Sequence, residues 1–260
     1  MKNKTTAIIV TFLRDAYLKE CVSSLSKTYP NIDIMVSDNG LVNNDKLKYY
    51  KGLNKKGVKT FFLPFDTGIT YGRNFLVKRV KTPYVLIGDD DFSYDKDTNL
   101  EAMISLLDSK KDIDIVCGRV REKGDVKNYQ GNIDRHDDDS FHYSEMTLDN
   151  YRKSKGVKYK KVDIGFNFAL MRTKIFKKIL WDTNIKVAYE HSDFFIEATN
   201  KDLKTVFTPD AIVVHKPEHV SQYQSSDYKT YRYRKEDKDY FFNKWKINYI
   251  VDMKGNKSSR

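Results

Sequence analysis

The sequence predicts an α/β fold built on a mostly parallel central sheet. Three observations support this prediction. Apolar β-branched runs alternate with segments of helical periodicity up to about Val120, the connections between them are short, and the composition is that of a globular protein. The chain has 260 residues, of which 40% are apolar and 32% charged. It is therefore long enough to bury a sizeable core and too apolar to be a disordered chain.

The predicted elements follow one another in a regular order. Five runs rich in β-branched or aromatic residues predict strands: TAIIVTF, IDIMVS, VKTFFLPF, PYVLIG and IDIVCGRV. The segments between them place apolar residues at helical spacing and predict helices: DAYLKECVSSLSKTY, 46–53, a stretch that begins near Ile69, and TNLEAMISLLDS. Residues 121–161 interrupt this order as a loop-rich insertion with a helix near Thr147–Lys153. Regular structure then resumes in VDIGFNFALMRT, KIFKKIL, EHSDFFIEATNK, LKTVF and AIVVHK.

Cysteine usage, hydropathy and charge exclude several classes of protein. Cys21 and Cys117 stand far apart in apolar surroundings, which predicts buried free thiols and neither a disulfide framework nor a zinc site. The apolar run near the N-terminus is too short for a signal peptide, and no stretch approaches the roughly 18 apolar residues of a membrane span. These features predict a cytoplasmic protein. The net charge of +11 favours polyanionic partners such as nucleotides, nucleic acid or an anionic membrane face.

Three consecutive aspartates follow the predicted fourth strand, in YVLIGDDDF. Asp89, Asp90 and Asp91 repel one another unless a cation relieves the repulsion. Because strand side chains alternate, we expect Asp89 and Asp91 to point one way and Asp90 the other. A hard divalent ion with oxygen ligands, Mn²⁺ or Mg²⁺, is one interpretation. A solvated acidic turn, in which Asp90 or Asp91 caps a following helix, is the other.

Six segments, taken in order, carry a resemblance to a known family: TFLR, LPFDTGITYGRN, YVLIGDDDF, VCGRVRE, EHSDFF and VVHK. Together they resemble GT-A glycosyltransferases of the family-2 type, and most closely the β-1,4-N-acetylgalactosaminyltransferase branch. The resemblance covers about residues 6–216. It implies a Rossmann-like GT-A domain over 1–216, with a nucleotide-binding half at 1–120 and an acceptor and catalytic half at 121–216. Residues 217–260 lie outside it as a basic, aromatic-rich extension.

The resemblance implies a metal and donor site. Asp89, Asp91 and His215 would bind Mn²⁺ or Mg²⁺ together with a sugar-nucleotide diphosphate, and Asp90 would contact the ribose or the sugar. Asp38 would read the uracil imide. The other residues that would contact the nucleotide sugar are Thr11, Phe12, Arg14, Arg73, Asn74 and Asn167.

Each of these roles has a plain structural alternative that the sequence leaves open. Asp38 also suits an Asx turn in SDNG, and Arg73 suits a cation on a helix surface. A single histidine at a strand end, such as His215, is otherwise an ordinary surface or core residue. Asn167 lies in VDIGFNFALMRT, which also reads as a core strand.

The catalytic base is assigned by the same resemblance to Asp193 in EHSDFF. The family usually has glutamate there, so the shorter side chain changes the reach, and Glu190, one helical turn earlier, is the second candidate. The alternative is an amphipathic helix whose acidic residues face solvent. The implied reaction is an inverting, metal-dependent transfer of a HexNAc or hexose from a UDP-sugar to a hydroxyl of a glycan or glycolipid.

The tail after Pro217 interleaves aromatic residues with lysines and arginines. Three interpretations stay open: it closes the domain, it lies on an anionic membrane face as an interfacial helix, or it binds nucleic acid. The third would suit a phage-type enzyme that glycosylates modified bases of DNA. A non-catalytic nucleotide or nucleic-acid binding module on the same scaffold is a further alternative. The aromatic residues concerned are Tyr223, Tyr228, Tyr231, Tyr233, Tyr240, Phe241, Phe242, Trp245 and Tyr249.

Overall fold

The computed structural model describes residues 4–127, 131–216, 226–232 and 234–259. The strands are β1 (Thr5–Thr11), β2 (Asp33–Asp38), β3 (Lys59–Phe62), β4 (Tyr84–Asp89), β5 (Phe92–Ser93), β6 (Ile115–Glu122), β7 (Asp125–Lys127), β8 (Gly131–His136), β9 (Ser140–Glu145), β10 (Arg152–Ser154), β11 (Val157–Val162), β12 (Ala169–Arg172), β13 (Thr205–His215), β14 (Tyr249–Val251) and β15 (Lys257–Ser259). The central sheet has the strand order β10-β11-β13-β6-β12-β4-β1-β2-β3, and the short strands β5 and β7 pair with β13 and β6, respectively.

The pairing of these strands confirms the predicted sheet. β1 runs parallel to β2 and β4, β2 runs parallel to β3, and β13 runs parallel to β6. β12 is inserted antiparallel between β4 and β6, and β11 pairs antiparallel with β13. The carboxyl ends of β1, β2, β3 and β4 therefore lie at one edge, which is where ligands bind in sheets of this kind.

Helices cover both faces of the sheet. They are α1 (Asp15–Thr28), α2 (Asn44–Lys55), α3 (Ile69–Val77), α4 (Leu100–Ser109), α5 (Glu190–Asn200), α6 (Ser226–Arg232) and α7 (Lys235–Trp245), with a 3₁₀ turn at Thr173–Lys177. Strand alternation divides the core: Ile9 of β1 packs on the side of α1 and α4, whereas Ile8 packs on the side of α3, α5 and α7. Cys21 and Cys117 are buried free thiols, as predicted.

The insertion differs from its prediction. No helix forms near Thr147–Lys153. The segment around it folds into antiparallel strands, with β8 paired to β9 and β10 paired to β11. The turn between β10 and β11 contains Lys155 and Gly156, both with positive φ. The lysine-rich sequence is thus a hairpin, because β10 pairs with β11 across this turn, and Tyr159 and Val162 are its buried residues.

The described part of the tail packs onto the domain. Phe241 and Phe242 of α7 are buried in the same core as α5, and β14 pairs in parallel with β9 of the insertion. These contacts favour the first of the three interpretations of the tail, since its central aromatic residues have no free face. Tyr223 and Tyr233 lie outside the described residues. In the described ranges, no helix combines the length and the apolar character that crossing a membrane requires.

Candidate active site

A cavity of about 250 Å³ opens at the carboxyl-terminal edge of the central sheet. It lies where β1, β2 and β4 end. The loop before α3, the start of α5, the end of β13 and helix α6 complete its wall. Both ends of the chain contribute: the Arg14 guanidinium donates a 3.1 Å hydrogen bond to the Tyr228 hydroxyl, 214 positions later in the sequence.

The aspartate triplet enters this cavity with two kinds of partner. Asp90 accepts a 2.6 Å hydrogen bond from the Thr11 hydroxyl and pairs with Arg14. Asp91 pairs with the same guanidinium at 2.9 Å, whereas Asp89 does not share it. The expected alternation is therefore wrong: β4 ends at Asp89, so the two later side chains are free of the strand geometry and converge on Arg14. The Arg14 guanidinium therefore relieves the repulsion between Asp90 and Asp91.

His215, at the end of β13, lies between two carboxylates. Its Nε2 is 3.3 Å from Asp91 Oδ2 and its Nδ1 is 3.3 Å from Glu122 Oε2. Burial alone would lower the pKa of His215, but these two carboxylates raise it above its ordinary value. Burial alone would raise the pKa of Asp91, but Arg14 and His215 hold it well below its usual range. Asp91 is therefore ionised at neutral pH.

The Asp91–His215 pair has one carboxylate oxygen without a partner among the described residues. Asp91 Oδ1 is buried and accepts no hydrogen bond from the described residues. An orphaned carboxylate oxygen beside an imidazole is a donor set that suits Mn²⁺ or Mg²⁺. Within the described ranges, no three His, Cys, Asp or Glu side chains already stand close enough together to hold a metal ion. Asp91 and His215 thus fit the predicted metal, while Asp89 is turned to another partner.

A second charged group is centred on Arg73, which lies behind the lining residues Asp89 and Glu190. Arg73 of α3, 2% exposed, donates to Asp89 at 3.0 Å and to Glu190 at 2.7 Å. The Asn167 amide lies 3.5 Å from both carboxylates, and its oxygen is 2.6 Å from Nδ1 of His191. Burial raises the pKa of Glu190, which Arg73 only partly offsets. Burial and Arg73 lower the pKa of His191 to about 3, so this imidazole is neutral.

The backbone before Glu190 is held by the tail. Tyr189 has a left-handed conformation, with φ 66°, and it turns the chain into α5. The carboxylate of Asp237 on α7 accepts backbone N–H bonds from Val187 and Ala188, at 2.8 and 2.9 Å. Glu190 is thereby fixed at the first turn of the helix, facing the cavity.

The loop before α3 is fixed against the same segment. Gly68 has φ +88°, and a Cβ at this position would lie 2.8 Å from the Cα of Lys186, so only glycine fits. The Asp66 carboxylate pairs with Lys186 at 2.9 Å and with Arg234 at 2.5 Å. The LPFDTGITYGRN segment therefore serves as the junction between the nucleotide-binding half and the tail.

Asp193 lies outside the cavity. It is 2% exposed, pairs with Lys244 at 2.8 Å, and accepts a 2.9 Å hydrogen bond from the Trp245 indole. Lys244 also pairs with Asp182 at 2.9 Å. Glu190, one turn earlier on α5, is the acidic residue of that helix that lines the cavity. Of the two candidate bases, the structure brings only Glu190 to the aspartates.

Asp38 is also placed behind the cavity wall. It is fully buried, and both of its oxygens are engaged: one accepts the Gly40 N–H at 2.7 Å, and the other accepts the Tyr50 hydroxyl at 2.6 Å and pairs with Lys46 at 2.9 Å. This is the Asx turn that the sequence left open. Asn74 is likewise engaged, with the backbone of Trp181.

The residue after Asp38 has the features expected of a nucleotide contact. Asn39 is 2% exposed and lines the cavity, and its Oδ1 has no hydrogen-bond partner among the described residues. The sequence drew attention to Asp38 in this turn, because a carboxylate is the more conspicuous side chain, whereas Asn39 is the member of the turn that lines the cavity. Nothing in the sequence connected the tail with the cavity.

Aromatic residues close the cavity beside Asn39. The Tyr231 ring of α6 lies 5.3 Å from Phe12 and 5.5 Å from Phe65, edge to face in both cases. The predicted residues that line the cavity are Thr11, Phe12, Arg14, Asp89, Asp90, Asp91, Asn167, Glu190 and His215. The lining residues that the sequence did not indicate include Asn39, Asp66, Tyr228, Tyr231 and Arg232.

Comparison with known families decides the classification. The model of the family described as glycosyl transferase family 2 matches residues 6–180. The chain belongs to glycosyl transferase family 2. The match contains the triplet Asp89–Asp91, Arg73 and Asn167, and it ends before Glu190.

Curated relatives agree with this family assignment. The chain is 29% identical over 247 residues to β-1,4 N-acetylgalactosaminyltransferase 1 of Rattus norvegicus, which covers 88% of this chain and 43% of that protein. It is 34% identical over 125 residues to β-1,4 N-acetylgalactosaminyltransferase 2 of Mus musculus, covering 46% and 22%. The chain thus spans less than half the length of these relatives.

Solved structures confirm the predicted GT-A fold of this family 2 chain. S. aureus TarS 1–349 in complex with UDP-GlcNAc superposes with a TM-score of 0.59 at 18% identity, covering 88% of this chain and 64% of that one. GalNAc-T7 with UDP, GalNAc and Mn²⁺ superposes with a TM-score of 0.61 at 16% identity, covering 93% and 50%. At these identities the likeness concerns the fold alone.

Proposed function

We propose that the protein is an inverting glycosyltransferase that moves a HexNAc or hexose from a UDP-sugar to a hydroxyl of a glycan or glycolipid. The observation that carries this proposal is the cavity itself. It places the Asp91–His215 pair, with its unpartnered carboxylate oxygen, and the buried carboxylate of Glu190 around one space of about 250 Å³. Such a space suits a nucleotide sugar between a metal site and a general base.

The donor end of the proposal rests on Asp91 and His215 as ligands of Mn²⁺ or Mg²⁺, and Asp89 would join them as the third ligand by giving up its pairing with Arg73. A bound divalent ion supplies charge neutralisation to the diphosphate leaving group. Two similar structures contain Mn²⁺ with a nucleotide: GalNAc-T7 with UDP and GalNAc, and a mannosyltransferase of Pyrobaculum calidifontis with GDP-Man. Arg14 already offsets charge on Asp90 and Asp91 at the cavity floor.

For the general base we assign Glu190 and withdraw Asp193. A base must reach the acceptor hydroxyl, and of these two carboxylates Glu190 is the one that lines the cavity. Its carboxylate is oriented by Arg73, and burial makes it a better proton acceptor than an exposed glutamate. Asp193 is committed to Lys244 and Trp245, which suits a residue that anchors the tail.

The proposal is tested by thermal-shift titration of the full chain with UDP, UDP-GlcNAc, UDP-GalNAc, UDP-glucose and GDP-mannose, with and without Mn²⁺. We expect stabilisation by UDP species that increases with Mn²⁺, because a ligand that binds the folded state raises Tm by mass action. Asp91→Asn should weaken the Mn²⁺-dependent part by at least about tenfold in Kd, since loss of even a residue that only supports a metal ligand weakens metal binding about 10- to 100-fold. Asp112→Asn, at an exposed position, is the control. A titration without any nucleotide-dependent shift would contradict the proposal.

Asn39 is proposed to read the uracil. Its unpartnered carboxamide oxygen can accept the imide N–H while its amide donates to a neighbouring carbonyl. We expect Asn39→Ala to weaken UDP binding by about 5- to 100-fold, the loss for one or two buried hydrogen bonds, and to reduce the preference for UDP over CDP. Isothermal titration with both nucleotides measures this, with exposed Asn31→Ala as the control. An unchanged UDP/CDP ratio would refute the role of Asn39.

The DNA-base alternative stays a prediction, and no contact among the described residues favours it. Base stacking needs accessible aromatic faces, but Phe241 and Phe242 are buried and Trp245 donates to Asp193. Substitution of Glu190 distinguishes the non-catalytic alternative from the proposal, because in a transferase we expect it to lower turnover and to leave nucleotide binding unchanged.

A further inference from the structure

Exposed large apolar side chains concentrate in one region of the molecule. Between residues 41 and 71 the described chain exposes Leu41, Val42, Leu47, Phe62, Phe65 and Tyr71, against Val126, Leu148 and Leu180 elsewhere. Leu41 and Val42 are 61% and 50% exposed at the tip of the loop between β2 and α2. We call Leu41, Val42, Leu47, Phe62 and Phe65 the apolar rim.

The members of the apolar rim are neighbours in the fold. β2 and β3 run side by side with Asp38 opposite Phe62, and the Leu63 N–H donates to the Asp38 carbonyl at 2.8 Å. The Phe62 ring lies 5.0 Å from Tyr50, which is one helical turn after Leu47 on α2. Two loops and one helix thus present apolar side chains at the same edge of the sheet.

Exposed lysines border the apolar rim. Leu47, Lys51 and Lys55 follow one another at four-residue spacing on α2, and Lys48 lies beside them. Lys48, Lys51 and Lys55 are exposed, and no carboxylate among the described residues pairs with them. Apolar side chains bordered by unpaired lysines are the composition of surfaces that bind anionic lipid.

We propose that the apolar rim docks the protein on an anionic lipid membrane. The loop residues enter the boundary between headgroups and acyl chains, and the lysines of α2 contact lipid phosphates. A second copy of the chain suits this surface poorly, because a symmetric contact would set the lysines of α2 against one another. The apolar rim is a different surface from the tail, for which membrane contact was one of three interpretations, and it meets the tail where Phe65 contacts Tyr231.

Docking at the apolar rim would orient the candidate active site. Phe65 belongs to the rim and its ring is 5.3 Å from Phe12, which lines the cavity. The mouth of the cavity therefore opens near the lipid surface, and the acceptor it meets there is a lipid-borne glycan. This consequence rests on the proposed function, whereas the docking itself does not.

The test is co-sedimentation of the full chain with vesicles of phosphatidylcholine, alone and mixed with phosphatidylglycerol. We expect binding to the anionic vesicles that weakens with added salt. The double variant Leu41→Asp/Val42→Asp should lower the partition coefficient by about tenfold or more, because it places two charges where acyl chains would lie. Lys51→Glu/Lys55→Glu should reduce binding by about tenfold on anionic vesicles only.

The matched control is Leu148→Asp/Leu180→Asp, which changes exposed apolar residues outside the rim and should bind as the wild type does. No binding to anionic vesicles, or equal binding by Leu41→Asp/Val42→Asp, overturns the proposal. The proposal is also overturned if light scattering shows that the wild type is a dimer and that Leu41→Asp/Val42→Asp is a monomer. The apolar rim would then bind a second copy of the chain. UDP thermal shifts on all variants keep the two proposals separate: vesicle binding without a UDP shift would refute the function and leave the docking intact.

Discussion

Replacement of Glu190 by glutamine should lower kcat by about 10²–10⁴-fold, the usual contribution of a general base. Glutamine keeps the size of the side chain and a hydrogen bond to Arg73 but cannot accept the proton of the acceptor hydroxyl. We therefore expect the affinity for UDP to stay within a few fold of the wild type. Steady-state kinetics together with UDP titration measure the two quantities in the same preparation.

Asp193→Asn is the comparison that decides between the two carboxylates of α5. Because Asp193 lies behind the wall and pairs with Lys244, its substitution should lower Tm and leave kcat within about tenfold. If Asp193→Asn instead abolished turnover in a folded protein while Glu190→Gln stayed active, the base assigned from the sequence would be correct and Glu190 would be excluded.

The pH dependence of kcat adds an independent signature. Burial raises the pKa of Glu190, so the carboxylate is protonated at a higher pH than an exposed glutamate of pKa about 4.3. A base is active only when deprotonated, so kcat should fall as the pH decreases through this raised pKa. His191, with a pKa of about 3, does not titrate in that range. The acidic limb should be absent from the residual activity of Glu190→Gln.

The sequence predicted the sheet and the position of the cavity at its edge well because both depend on local patterns. β-branched runs and helical spacing predict β1 to β4 with their helices, and the cavity lies where β1, β2 and β4 end. The aspartate triplet is visible as a motif, and its position after β4 is enough to place it.

The failures have a common physical origin in long-range contacts. Asp193 and Glu190 are one helical turn apart, and the sequence cannot show which of them faces Lys244 of the tail. Asp38 is removed from the cavity by Lys46 and Tyr50, an ion pair and a hydrogen bond that no local pattern reveals. The hairpin in the insertion was missed because its buried residues Tyr159 and Val162 are three positions apart and do not show the two-residue alternation typical of a strand.

The predicted domain boundary at residue 216 can be tested by measuring the stability of the folded chain. If residues 217–260 were an appendage, truncation of a side chain there would hardly affect unfolding of the domain. Phe241 is instead fully buried in the core of α5, and its ring stacks on Tyr189 at 4.9 Å, next to Glu190. Removal of such a side chain leaves a cavity that the surrounding core cannot fill.

We therefore expect Phe241→Ala to lower the free energy of unfolding by about 3–5 kcal/mol. For a chain of this size the loss corresponds to a decrease in Tm of roughly 6–20 °C. Phe241→Leu, which keeps most of the volume, should cost less than about 1.5 kcal/mol, and Leu148→Ala at an exposed position should stay within about 0.5 kcal/mol. Calorimetry measures Tm for the three variants, and the expected order of losses would show that the tail is an integral part of the domain. An unchanged Tm for Phe241→Ala would show that residues 217–260 are an appendage to the domain. A side chain that contributes nothing to the stability of the core could not hold the turn that precedes Glu190 in place.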